Sequence, residues 1–138
     1  MKKLITLTLA LFLGFAFFTA GAQDVKKKTI EAVGTKVEAT RGDNANIITP
    51  RPTTDVVAEK PEATRGGSCK VIVDNWTGYA IDIYVDGVWE GTVAAWSDGY
   101  TWAIPGKTKL YGLSTGGTTE WGPTYVNCKN QYTWKLTN

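Results

Sequence analysis

The chain has 138 residues, 15 Lys and Arg against 13 Asp and Glu, and no histidine. The missing imidazole removes the commonest general base, the usual activator of Ser and Cys nucleophiles and the commonest metal ligand. Lys2 and Lys3 account for the whole excess of positive charge; from Gln23 onward 13 basic side chains balance 13 acidic ones, a composition without the electrostatic footprint of a nucleic-acid binder.

Residues 1–22 read as an export signal. Lys2 and Lys3 precede an apolar run from Leu4 to Phe18, and Ala20-Gly21-Ala22 supplies the small residues of a cleavage site before Gln23. The competing reading is a membrane anchor, but the run of about 15 residues falls short of the roughly 20 that a spanning helix needs. The stretch Phe18 to Gln23 resembles bacterial signal peptides, particularly those of the Bacteroidetes type. The expected location is therefore secreted, periplasmic or on the cell surface.

Residues 23–67 read as a disordered linker. They mix Lys, Glu, Thr, Asp, Ala and Pro, contain no aromatic residue, and hold no sustained helical or alternating apolar pattern. Lys26-Lys27-Lys28 is a short basic cluster, read as solvated. Glu38-Ala39-Thr40-Arg41-Gly42 recurs as Glu62-Ala63-Thr64-Arg65-Gly66, a duplicated linker unit or a pair of processing signals. Arg41-Gly42-Asp43 spells an integrin-binding tripeptide, a word short enough to arise by chance.

Residues 68–138 read as a small all-β domain. All six tryptophans and all six tyrosines lie between Trp76 and Trp134. Nine glycines and two prolines punctuate short stretches of Val, Ile, Thr, Tyr and Trp, and strands are expected near 69–74, 80–85, 88–94, 100–104, 107–114, 121–127 and 131–137. The fold class is an antiparallel β-sandwich or partly open barrel of six to seven strands. Cys69 and Cys128 are the only cysteines, so one disulfide is expected in an exported chain.

The hairpin at Asp86-Gly87 admits two registers. A three-residue loop with Gly87 left-handed pairs Tyr84 with Val88 and Ile83 with Trp89, keeping Ile81, Ile83, Trp89 and Val93 on one face. That register buries Trp89, exposes Tyr84 and sets Asp82 against Glu90. Like charges so placed repel, and the offset comes from Lys107 or Lys109, or from a calcium ion held by Asp82, Asp86 and Glu90. The stretch Ile83 to Val93, with its Asp-Gly turn and Gly91-Thr92 pair, resembles PEGA-type domains, small β modules of bacterial surface and secreted proteins. The proline that often follows the Gly-Thr pair is replaced here by Val93-Ala94-Ala95. The resemblance implies a module without catalysis of its own, and it carries over no binding residues.

The aromatics divide by position. Trp89, Trp102, Tyr132 and Trp134 fall on strand faces and are expected to fill the core. Trp76, Tyr79, Trp96, Tyr100 and Trp121 fall in or beside turns and are the candidate ligand-binding residues, forming a platform for sugar rings or a protein partner. No catalytic residue and no cofactor is expected. The first functional reading is a non-catalytic binding module outside the cytoplasm, carbohydrate its leading ligand. The alternative is a structural or assembly protein of the cell envelope packing through its aromatics and strand edges.

Overall fold

The computed structural model describes residues 28–38, 43–53 and 69–138. The expected export signal lies outside the described residues, as do residues 23–27, 39–42 and 54–68. Nine strands form among the described residues: β1 (Lys28–Val33), β2 (Thr35–Lys36), β3 (Cys69–Asn75), β4 (Ile81–Val85), β5 (Val88–Val93), β6 (Asp98–Ala103), β7 (Gly106–Ser114), β8 (Thr119–Cys128) and β9 (Gln131–Thr137). The seven strands expected after residue 68 all form, with ends displaced by no more than two residues.

They assemble into two sheets, not a closed barrel. Sheet A has the order β1-β9-β3-β6 and sheet B the order β2-β8-β7-β4-β5. Sheet B is antiparallel throughout, whereas β9 runs parallel to both β1 and β3. In β3 the alternation is plain: Cys69, Val71 and Val73 point inward, and Lys70, Ile72 and Asp74 lie on the other face. Trp134 and Leu136 of β9 meet Ile81, Ile83, Leu110 and Trp121 of sheet B in one core shared by both sheets. The Cys69–Cys128 disulfide ties the start of β3 to the end of β8 and so links the two sheets.

Part of the stretch expected as a linker is ordered. β1 and β2 come from it, with Ile30 and Ala32 facing the core beside Trp134 and Leu136. Residues 43–51 form a strap on the outer face of sheet B. Ile48 and Thr49 donate backbone N–H to Gly87 O, and Trp89 N donates to Thr49 O. Two inward residues make too short an alternation to stand out in a charged stretch; the edge of β9 supplies the rest of the ordering through a backbone ladder.

The hairpin register also differs. Asp86 (φ 51°) and Gly87 (φ 86°) form a two-residue turn, with Val85 opposite Val88 and Tyr84 opposite Trp89. A bulge at Glu90 then shifts the pairing, so Ile83 faces Gly91, Asp82 faces Thr92 and Ile81 faces Val93. The extra residue reconciles the tight turn with apolar pairing, and Gly91 accepts the positive φ of 146° this requires. Trp89 therefore shares the outer face with Tyr84. It is half-buried, not core, while Tyr84 is buried beneath the strap instead of exposed.

Candidate binding surface

Asn75 organises one end of the molecule. It is buried, and all of its side-chain polar atoms are used. Oδ1 accepts from the Thr77 N–H (3.0 Å) and hydroxyl (2.7 Å), and Nδ2 donates to the carbonyls of Tyr79 (2.8 Å) and Ala94 (2.9 Å). An Asn that bonds its own backbone two residues on sets a tight turn. Here the same amide also holds the 94–97 loop, and Trp96 N adds a bond to Thr77 O. Trp76, Tyr79 and Trp96 thus sit on two mutually fastened loops, 55%, 43% and 69% exposed.

Tyr100 lies elsewhere, on the outer face of sheet A. Residues 100 and 102 share a face, so Trp102 stands beside it, ring centres 6.3 Å apart and edge to face. Trp102 is 41% exposed, which corrects its assignment to the core. Lys70, opposite Trp102, places Nζ 4.5 Å from the Tyr100 ring centre and 6.0 Å from that of Trp102. Trp76 continues the same face past the end of β3, with Lys135 Nζ 5.1 Å from its ring centre. An ammonium so placed is attracted by the ring quadrupole.

Trp121 does not belong to this surface. It is fully buried, its Nε1 donates to Thr137 O at 2.8 Å, and Tyr79 packs against it at 5.9 Å. Position 121 is expected beside a turn, as the first residue of the strand over 121–127. β8 instead begins at Thr119, which sets Trp121 inside the strand, and it continues through Gly122-Pro123 by a shift of register against β7. Tyr132 packs against the core and Trp134 is fully buried, as expected of strand-face aromatics. Trp134 Nε1 nevertheless has no hydrogen-bond partner.

Sheet B offers no such open face where the strap crosses it. Asn44 Nδ2 donates to the Tyr111 hydroxyl (2.7 Å), which donates in turn to Glu120 Oε2 (2.7 Å). Burial first, and then the hydrogen bond to Glu120, push the Tyr111 phenol well above its ordinary value. Burial and the Asp82 carboxylate likewise raise Tyr84, against the opposing influence of Arg51.

The proposed calcium ligands are not brought together. Asp82 accepts from the Trp89 indole (3.3 Å) and the Thr92 hydroxyl and pairs with Arg51 at 3.6 Å. Asp86 Oδ1 accepts the Lys109 backbone N–H at 2.8 Å, and Glu90 Oε2 accepts the Thr101 hydroxyl at 2.9 Å. No group of three or more metal-ligating side chains gathers among the described residues. Asp82 also does not face Glu90, and its charge is met by Arg51, not by Lys107 or Lys109.

No family model, curated protein or solved structure matches this chain.

A cavity of about 100 Å³ lies between β5 and β6, lined by Val73, Ile83, Glu90, Val93, Tyr100 and Thr101 among others. Ligand pockets are usually of roughly 300–1,000 Å³. The larger resource is the exposed aromatic surface, suited to stacking and to contact with a flat partner. Sequence reasoning missed Lys70 and Trp102 as its members. The period of two carried the signal for Trp102, since Tyr100 and Trp102 fall on one face of one strand.

Proposed function

We propose that the chain is a non-catalytic binding module of the exported compartment, which engages glycan through exposed aromatics on and beside the outer face of sheet A. The observation carrying this reading is the contrast between the two outer faces. The strap covers Tyr84 and half-covers Trp89 on sheet B, whereas Trp76, Tyr100 and Trp102 on sheet A stand open and Tyr79 and Trp96 extend from the adjoining loops. Ring faces of this kind suit saccharides, whose C–H faces stack on them while hydroxyls reach neighbouring Thr and Asn. The resemblance of residues 83–93 to PEGA-type modules supports a role without catalysis, and so does the absence of histidine. The disulfide is compatible with an oxidising compartment, which supports export.

A glycan array probed with residues 23–138, the expected mature chain, tests the reading. Binding that weakens on Trp102→Ala or Trp76→Ala with the fold intact supports it; no binding to any glycan overturns it. Among the described residues β6 is the last strand of sheet A, and such an edge favours the second reading, self-assembly within the envelope. Light scattering separates the two: assembly requires a mass that grows with concentration.

A further inference from the structure

We propose that the end of the molecule around the Cys69–Cys128 bridge binds an acidic polysaccharide, a chain bearing uronate or sulfate groups. This rests on the glycan reading above and names its ligand class. Of the seven described lysines, five gather at this end. Lys70 follows Cys69 and Lys129 follows Cys128. Lys28 pairs with Tyr132 at the start of β9, while Lys107 and Lys109 pair with Asn127 and Tyr125 at the end of β8. Carboxylates concentrate away from it: Glu31 and Asp74 flank Lys135, and Asp98 pairs with Asp74 toward the Trp76 end of sheet A. Asp86 is the exception near the lysines, and its carboxylate caps the Lys109 backbone N–H. The only ion pair among the described residues joins Arg51 to Asp82, so none of the five ammoniums is paired with a described carboxylate.

Three of these lysines stand beside exposed or half-exposed rings. Lys28 Nζ is 5.9 Å from the Tyr132 ring centre, Lys70 Nζ is 4.5 Å from that of Tyr100, and Lys107 Nζ is 5.3 Å from that of Tyr125. An ammonium takes a carboxylate or sulfate, and the neighbouring ring takes the C–H face of the same sugar. Lys70 lies on the outer face of sheet A and Lys107 on that of sheet B. Stacked sheets are about 10 Å apart, so a short oligosaccharide reaches across the end from one to the other. A flexible chain can restrict itself to this basic end. A rigid duplex would also meet the carboxylates beyond it.

The test uses residues 23–138 with polygalacturonate and a neutral glucan as probes. Polygalacturonate is expected to bind, to weaken between roughly 50 and 300 mM salt, and to lose about tenfold in affinity in the Lys70→Gln/Lys107→Gln double variant. Lys36→Gln, at the far end, should leave affinity unchanged. Equal binding of the neutral glucan, indifferent to the double variant, overturns the acidic class and leaves the glycan reading standing. No binding of either probe overturns the acidic class, and the glycan reading falls with it only if the glycan array is also empty. Duplex DNA or anionic vesicles bound as tightly as polygalacturonate would also overturn the proposal, since charge alone would then be the determinant.

Discussion

Trp96 is held at φ 55°, a left-handed conformation that costs an L-residue roughly 1–2 kcal/mol, and it is 69% exposed. A large ring in a strained and open position contributes little to the fold, which is why it reads as a ligand contact. Trp96→Gly should therefore leave stability within about 1 kcal/mol of the parent, because relief of strain offsets the added freedom of glycine. Trp121→Ala should cost about 3–5 kcal/mol, since it empties a fully buried site. Urea melts of the two variants check the contrast, and a large loss at Trp96 would contradict it. The sequence separated these two tryptophans poorly. Both are expected in or beside turns, and only the start of β8 at Thr119, two residues before Trp121, sets that ring within a strand. Trp134 makes the complementary case. Its indole N–H is buried without a partner, whereas that of Trp121 bonds Thr137 O. Trp134→Phe removes an unsatisfied donor and Trp121→Phe removes a satisfied one, so the second should cost about 1 kcal/mol or more beyond the first.

The strap and the bulged hairpin were the elements least visible in advance, for different reasons. The bulge at Glu90 obeys the apolar pairing that the hairpin argument required, but it meets that requirement within the strand and not in the loop. The strap has no periodic signal at all. Asn44 and the backbone of Ile48 and Thr49 fasten it, and Ile48 packs where any side chain on Gly87 would stand, 2.7 Å from a Cβ built there. Its thermodynamic mark lies at alkaline pH. Tyr84 and Tyr111 both hold their protons above the ordinary phenol value of 10.0. The unfolded chain ionises these phenols first, so their contribution to stability is complete below about pH 10. It is lost as pH rises through that value toward the higher values of the folded state. Each phenol contributes a slope of up to about 1.4 kcal/mol per pH unit in that window. Tyr111→Phe should roughly halve the alkaline loss while weakening the protein at neutral pH by about 1 kcal/mol, through the missing bond to Glu120. Melts at neutral and alkaline pH, read beside tyrosinate absorbance, check both.

At the scale of the molecule, the boundary at residue 68 drawn from aromatic content does not coincide with the folded unit. The aromatics mark where bulky side chains are encoded, not where the chain stops ordering. β1 closes the edge of sheet A with Ile30 and Ala32, β2 extends sheet B, and residues 43–51 cover its outer face. A fragment of residues 68–138 keeps the disulfide but loses all three. It would expose β9 as a new edge and uncover Tyr84 and Tyr111, in a body of a size whose core supplies only about 3–5 kcal/mol unaided. The bridge is then decisive. It spans 59 residues, and closing a loop of that length is worth about 4 kcal/mol in the chain-entropy account. Residues 23–138 should accordingly stay folded at 25 °C under reduction, with a lowered urea midpoint, because the N-terminal strands and strap still contribute. The 68–138 fragment should fold only while oxidised and unfold on addition of reductant. Circular dichroism of both chains with and without reductant distinguishes the cases. Equal stability of the two oxidised chains would mean that β1, β2 and the strap add nothing to the fold they cover.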